Sequence, residues 1–428
     1  MSDEGRGPAS GTDETLAADY APLAAELAAR DAVGFVAVGD RFDDDLRWLT
    51  RFSGPDRDYA FVATPASHSD AGGDRSGDGD DPDNADADAT GVHTALCAPA
   101  LFDEQARREF PGDAVRVDDQ GDPAGVRAAA ALADRDAESG TVLVPRGIPH
   151  DAVVYLERAG YDVASTDAVE RARETKTDAE IDRLRRVQRA AIRGIARAEG
   201  VLAEATVDAG ADDGAGAVRW NGGVLSTERL RRQVNEVLAA HGVRDAGNTV
   251  IGAGATAADL HYTGTDVIRP GETVLLDVSP RGPDGYYGDV TRTFAVDPDG
   301  GWERRAYLAV EAAREAALEA VAAGVPASTV HEEAAAELAA HGFRVDSSEV
   351  GFTHSTGHGV GVSLHEGPSL GDDDKLESGN VVTIEPGVYD PEEGGVRLED
   401  LIVVSDDGFE FLGEYPFSLA PRVREESG

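Results

Sequence analysis

Thr273-Val274-Leu275-Leu276-Asp277-Val278 and Gly288-Asp289-Val290-Thr291-Arg292-Thr293-Phe294 are two apolar segments that each carry a carboxylate. The connection between them, Pro280–Gly285, is rich in Pro and Gly, as a tight return requires. The pattern predicts an antiparallel strand pair that brings Asp277 and Asp289 together. Every neighbour of Asp277 favours burial, and a buried carboxylate is costly unless a cation or strong donors hold it. Further along the chain the arrangement recurs. Glu385 closes Val381-Val382-Thr383-Ile384, directly before Pro386-Gly387, and Glu399 lies within an apolar stretch from Val396 to Val404. A strand period of two puts Arg397 and Glu399 on one face, with Val396 and Leu398 on the other. Pairing with arginine can satisfy any one of these acids, but four together point to bound metal. His354-Ser355-Thr356-Gly357-His358-Gly359-Val360-Gly361 and His365 add imidazoles beside glycines that permit close approach. Carboxylates with an imidazole suit a pair of Mn²⁺, Co²⁺, Fe²⁺ or Zn²⁺ ions.

The surrounding pattern predicts how these strands are carried. Ile181, Leu184, Val187, Ala191 and Ile195 recur at helical spacing from Asp178 to about Ala205, behind a Thr177–Glu180 capping signature. A second helix is expected over Thr227 to about Ala240. Strands at Thr249–Ile251, Thr273–Ser279 and Gly288–Val296 follow. Helices near Trp302–Ala323 and Ser328–Ala340 then precede strands at Val381–Glu385 and Val396–Val404. The order of helix, helix, histidine and paired strands therefore occurs twice, as in an internal duplication. Upstream, strands at Val33–Val38, Tyr59–Thr64, Ala95–Leu101, Val115–Val117 and Thr141–Pro145 alternate with helical patterns such as Pro123–Ala133, which predicts an α/β domain. Residues 1–15 read as a loose tail, and the Asp-, Gly- and Ser-rich stretch of about 67–90 as a solvated, mobile insertion.

Composition bounds the rest. The 428 residues carry 82 Asp and Glu against 39 Lys and Arg, a formal charge of −43, while 41% are hydrophobic. That is enough apolar surface for real cores, and it disfavours nucleic acid as a partner, since binding would lack the cations that displace counterions. Lys176 and Lys375 are the only lysines. Such acid-rich, lysine-poor composition resembles that of proteins from salt-accumulating organisms, where molar salt screens the repulsion. No apolar run of about 18 residues predicts a membrane span, and the acidic start predicts a cytoplasmic protein. Cys97 is the only cysteine, which excludes an intrachain disulfide and suits a small core residue.

Other chemistries lack their parts. Gly252-Ala253-Gly254-Ala255-Thr256-Ala257 matches a dinucleotide loop but runs on into Asp259-Leu260-His261-Tyr262, which is not a helix start. His331-Glu332 and His365-Glu366 begin a zinc-protease motif, but Ala335 and Ser369 stand where the second histidine belongs.

The ordered set His261-Tyr262, Asp277, Asp289-Val-Thr-Arg-Thr, His358-Gly-Val-Gly, His365-Glu, Glu385-Pro-Gly and Arg397-Leu-Glu399-Asp resembles the M24 metallopeptidases. Trp48-Leu49-Thr50-Arg51-Phe52-Ser53-Gly54 resembles their creatinase-type N-terminal domain. The resemblance implies an α/β creatinase-type domain over 16–172 and an α+β pita-bread catalytic domain with internal pseudo-duplication over 173–428. It also implies two divalent ions, Mn²⁺ first among them. Asp277 would chelate one ion, Asp289 and Glu399 would bridge both, and His358 and Glu385 would complete the second. Glu385 would also relay a proton, His261 and His365 would contact substrate, His354 would line a proline pocket, and Arg397 would orient Glu399 or a substrate carboxylate. The implied partners are proline-containing peptides and a second copy in a homodimer. Many prolidases place an arginine after the proline of His-Glu-x-Pro-Arg, where it anchors a dipeptide's carboxylate. Ser369 stands there in this chain, so the expectation leans to an Xaa-Pro aminopeptidase, with Xaa-Pro dipeptidase as the alternative and a non-catalytic binding module as a remote one.

Overall fold

The computed structural model describes residues 16–66, 91–118, 121–135, 137–208, 210, 216–347 and 349–424. The expected tail over 1–15 and insertion over about 67–90 lie outside the described residues. Two compact units are present: Met1–Arg41 with Leu49–Ala164, and Phe42–Trp48 with Ser165–Gly428.

In chain order the first part runs α1 (Ala21–Ala29), β1 (Gly34–Gly39), α2 (Asp44–Thr50), β2 (Tyr59–Pro65), β3 (Val92–Pro99), α3 (Asp103–Glu109), β4 (Ala114–Asp118), α4 (Ala124–Ala133), β5 (Gly140–Pro145), α5 (His150–Arg158) and β6 (Tyr161–Thr166). The six strands form one sheet in the order β4-β3-β2-β1-β5-β6. β2 is antiparallel to both neighbours, whereas β1 runs parallel to β5 and β3 to β4. Both faces of the central strands are covered, so β1 is buried along its whole length. Cys97 is 1% exposed within the core that includes Val36, Val62 and Leu132.

The second part begins with α6 (Ala168–Ala172) and α7 (Asp178–Glu204). The expected capping box opens α7: the Thr177 side chain accepts from the Glu180 N–H, and Glu180 accepts from the Thr177 N–H. Next come β7 (Thr206–Asp208), β8 (Ala217–Trp220), β9 (Gly223–Val224), α8 (Thr227–Ala240), β10 (Thr249–Ala253), β11 (Thr273–Val278) and β12 (Thr291–Ala295). β7, β8 and β9 form a small three-stranded sheet. One core joins α7 and α8 to the β10-β11-β12 sheet through Ile195, Val234, Leu276 and Phe294.

The arrangement then repeats. α9 (Trp302–Glu319) and α10 (Ala327–Ala340) are followed by β13 (His358–Gly359), β14 (Glu366–Ser369), β15 (Val381–Ile384), β16 (Gly387–Asp390), β17 (Gly394–Arg397), β18 (Asp400–Ser405) and β19 (Gly408–Phe411). A second core packs this helix pair on a β14-β13-β15-β18-β19 sheet through Val310, Leu338, Val382 and Ile402. Two strand expectations need correction. The strand expected from Gly288 begins only at Thr291, and that expected over Val396–Val404 is broken at Leu398–Glu399. The break has a cause: Glu399 turns to donate its N–H to Thr291 O at 3.1 Å, leaving its own sheet to join the other half.

Arg292 locks that crossing. Its guanidinium is 1% exposed and donates to Glu399 O at 2.6 Å, Thr291 O at 2.9 Å, Tyr415 O at 2.7 Å and Asp400 Oδ1 at 2.7 Å. Arg314 Nε holds the other Asp400 oxygen at 2.7 Å, and the Phe417 ring lies against both arginines. Substituting Arg292→Met leaves three buried carbonyls without this donor and Asp400 with one cation fewer. We expect a loss of ~3–5 kcal/mol, read as a lower denaturant midpoint in molar KCl, with exposed Arg304→Met as a control shifting by less than about 0.5 kcal/mol. Equal midpoints for the two variants would refute this role for Arg292.

Candidate active site

All nine residues singled out in the sequence line one cleft of about 260 Å³ in the second unit: His261, Asp277, Asp289, His354, His358, His365, Glu385, Arg397 and Glu399. Each half contributes. From the first half, Asp277 comes from β11 and Asp289 from the residues entering β12. Gln188 of α7 fixes the second of these by its backbone, donating to Asp289 O and accepting from Asp289 N–H, both at 2.8 Å. From the second half come His358 on β13, Glu385 after β15, Arg397 at the end of β17, and Glu399 in the break before β18. The glycine beside His358 is dictated by space. A Cβ at Gly359 would lie 2.1 Å from Gly367 O, so only glycine lets β13 and β14 close around the imidazole.

The halves meet through hydrogen bonds rather than a shared sheet. Thr293 Oγ1 donates to Arg397 O at 3.0 Å and accepts from Arg397 N–H at 3.1 Å. Thr291 Oγ1 donates to Glu399 Oε2 at 2.7 Å and accepts from Arg397 Nε at 3.1 Å. Arg397 is thereby fixed to the threonine that orients Glu399, and its Nη2 pairs with Asp277 Oδ2 at 2.6 Å.

These groups fit a bound cation. Oxygen or nitrogen atoms of Asp289, His358 and Glu399 all lie within 4.8 Å of one another. His358 Nδ1 donates to the Gly359 carbonyl at 3.0 Å, which turns Nε2 toward the carboxylates. Nε2 lies 3.3 Å from Glu385 Oε1 and 3.9 Å from Asp289 Oδ2, and buried carboxylates crowded round one imidazole are an arrangement that a cation relieves. Ser279 Oγ makes the same point: it lies 3.0 Å from Asp277 Oδ1 and 2.8 Å from Asp289 Oδ1 but has one hydrogen for the two. The electrostatics agree. Burial, reinforced by Glu399 and Asp277, raises the Asp289 carboxyl well above its ordinary range. Burial and Glu385 push Glu399 up to about 8, and burial lifts Glu385 to about 7 against the opposing pull of Arg397. Asp277 and Glu385 line the cleft outside the tight three-residue group, the former paired with Arg397 and the latter beside His358.

The histidines differ in what surrounds them. Burial and then Arg397 lower His354 to about 3, and burial and then His358 lower His365 to about 4, so both rings are neutral at physiological pH. The rings of His358 and His365 lie 4.2 Å apart. His354 Nδ1 donates to Ser355 O at 2.7 Å, and Nε2 accepts from Tyr389 OH at 2.9 Å. Tyr389 OH in turn accepts from Arg397 Nη1 at 3.0 Å. Sequence reasoning missed Tyr389, because nothing local sets it apart from other strand tyrosines. His331, whose zinc-protease motif lacks its second histidine, places Nδ1 3.0 Å from Thr356 Oγ1, and its ring packs on Phe352, which packs on His354. Beside His365, Glu366 is held by Arg173 at 2.6 Å and Lys176 at 2.7 Å. Burial raises the Glu366 carboxyl, but Lys176 and Arg173 outweigh it and keep the group ionised. A signal for that anchor was present, since Lys176 is one of only two lysines in the chain.

The dinucleotide reading fails in space as it did in sequence: Gly254–Ala258 form a short 3₁₀ turn and no α-helix follows. No helix among the described residues is long and apolar enough to cross a membrane.

The profile of metallopeptidase family M24 matches residues 172–406. The probable dipeptidase PepE of Mycobacterium tuberculosis is 31% identical over 260 residues, which are 60% of this chain and span 63% of that relative's length. The Xaa-Pro dipeptidase of Lactobacillus helveticus is 38% identical over 164 residues, 38% of this chain and 43% of that one. Among solved structures, the Xaa-Pro dipeptidase from Bacillus anthracis superposes with a TM-score of 0.75 at 20% identity, covering 94% of this chain and 98% of that one. It shares the fold, the two-domain pita-bread architecture that the M24 resemblance implied. With its family profile matched over residues 172–406, this chain belongs to metallopeptidase family M24.

Proposed function

We propose that this chain is a metal-dependent exopeptidase that hydrolyses the bond between an N-terminal residue and a following proline, acting as an Xaa-Pro aminopeptidase. The observation that carries the reading is the cleft in which buried carboxylates from both halves gather round Nε2 of His358. Asp277, Asp289, His358, Glu385 and Glu399 would hold two divalent cations, Mn²⁺ first among Mn²⁺, Co²⁺, Fe²⁺ and Zn²⁺. Bound there, the ions would supply an activated water and positive charge for the oxyanion.

The chain's own residues do the rest. Glu385, lifted to about 7 by burial, takes a proton at a carboxyl oxygen and passes it to the leaving nitrogen. His261 and neutral His365 steady the peptide from the cleft wall. His354, held by Tyr389, lines the pocket for proline, and Arg397 orients Glu399 through Thr291. The preference for longer peptides rests on missing charge. The only arginine lining the cleft among the described residues is Arg397, already committed to Asp277, and Ser369 offers no cation to a dipeptide's carboxylate. The second reading, Xaa-Pro dipeptidase, is favoured by the names of the relatives. The homodimer belongs to this proposal through the same family likeness, and light scattering on the eluted protein tests it.

Two measurements test the proposal. Mn²⁺-loaded protein in molar KCl is expected to release alanine from Ala-Pro-Ala and hardly from Ala-Pro, with Asp289→Ala lowering turnover by about 10³-fold or more. The reverse preference would establish the dipeptidase, and no cleavage with any plausible metal would overturn both. The second concerns protons. In the folded protein Glu385 and Glu399 titrate near 7 and 8, above the value of about 4.3 for an unfolded glutamate. Their contribution to stability is full below the unfolded value and is lost as pH rises through 7 to 8. Chelator-stripped protein should therefore melt lower at about pH 8.5 than at about pH 6, and Mn²⁺ should raise Tm more at the higher pH. Equal metal-induced shifts at both values would sink the ligand assignment.

A further inference from the structure

In the first unit, α4 and α5 begin side by side at the edge of the sheet where β1 and β3 end. Gly125 permits this, since a Cβ there would lie 2.9 Å from Ala152 Cα. Neither helix has a capping side chain at its N-cap residue, and both N-termini border a cavity of about 520 Å³, α4 with its dipole unopposed and α5 with Asp151 on its Ala152 N–H. β1, β3 and β5 run the same way. From β1 the chain builds the sheet in one direction, and β5 then adds on the other side. A crevice at the carboxyl ends of parallel strands, at such a reversal, is where open α/β sheets take ligands.

Arg127 supplies the independent observation. It lines this cavity, is 7% exposed, and spends Nη1 on Cys97 O at 3.1 Å and Nη2 on Asp58 O at 2.9 Å. Its Nε is buried without a partner. Every other buried arginine (Arg173, Arg183, Arg231, Arg292, Arg314 and Arg397) has a carboxylate within 4 Å. Among the described residues Arg127 has none, in a chain with 82 acids to choose from. A buried guanidinium with no carboxylate within 4 Å is costly. Arg57 adds a second cation to the wall, while Asp58, Asp122 and Asp151 also line it, Asp151 accepting from the Ala152 N–H. These acids are acceptors for hydroxyl groups, as an acidic residue is for a ribose in dinucleotide folds.

We infer that this cavity binds a small phosphomonoester bearing hydroxyl groups, a sugar or nucleoside monophosphate, with the phosphate on Arg127 and the two helix N-termini. The site is separate from the proposed peptidase chemistry and does not depend on it.

Titration calorimetry on the metal-loaded full chain, with inorganic phosphate, ribose 5-phosphate and adenosine monophosphate as probes, tests the assignment. Ribose 5-phosphate should bind more tightly than inorganic phosphate. Arg127→Gln should weaken it at least tenfold. Leu101→Glu, which adds a negative charge at a rim position that is 83% exposed and so spares the fold, should do the same. Tighter binding of adenosine monophosphate than of ribose 5-phosphate would make the ligand a nucleotide, and equal binding a sugar phosphate. Should Arg127→Gln fail to fold, Leu101→Glu decides. Binding that survives the substitutions would place the anion elsewhere, at the metal centre for instance, and overturn the inference, as would no binding of any probe at 10 mM.

Discussion

Like charge gathered in a place that water reaches poorly is the constraint on which the second unit depends. Asp289 and Glu399 are buried, Glu385 stands beside them, and a single guanidinium, that of Arg397, opposes them from within the cleft. Left alone, such groups take up protons, separate or admit solvent. Here they are kept from separating by bonds to their backbones and flanks: Gln188 clamps Asp289 by its peptide groups, Thr291 orients Glu399, and Arg292 holds the carbonyl of Glu399 from behind. The scaffold resists what the side chains would otherwise do. Strain of that kind is tolerated where a bound cation gives the free energy back, so the rigidity of the strands and the affinity proposed for the cleft describe one balance.

The carboxylates were legible because their signal is local. An acid inside an otherwise apolar strand contradicts its neighbours, and the contradiction can be read without knowing what lies opposite. Asp277, Glu385 and Glu399 were visible in that way, and strand alternation put Arg397 beside Glu399 although the strand itself breaks between them. What lies opposite was not legible. That Arg397 pairs with Asp277, that Tyr389 links Arg397 to His354, and that Arg173 and Lys176 hold Glu366 are facts of tertiary approach. None has a spacing in the chain that announces it. Helices were read closely for the opposite reason, since caps and apolar stripes mark them from within: α7 and α8 begin where their capping residues require.

The break at Leu398–Glu399 shows how a duplicated architecture makes a site. Each half packs its own helix pair on its own sheet and has its own core. Were both sheets to run on undisturbed, their edges would offer no place where acids from both could meet. The departure of Glu399 from its strand toward Thr291 gives the halves a common seam, and the buried Arg292–Asp400–Arg314 group makes that departure permanent.

That seam also sets an order of events in biosynthesis. The Thr291–Glu399 hydrogen bond spans 108 residues, so Asp277 and Asp289 leave the ribosome long before the side chains that complete their surroundings. With elongation at about 5–20 residues per second, the first half has several seconds in which to fold by itself. During that interval it displays two aspartates and no imidazole partner from the second half. On the proposed metal reading, an ion would be held stably only after Glu399 has emerged and the halves have closed. The metal would then be selected by cellular supply and by the shape of the closed cleft rather than by the nascent chain.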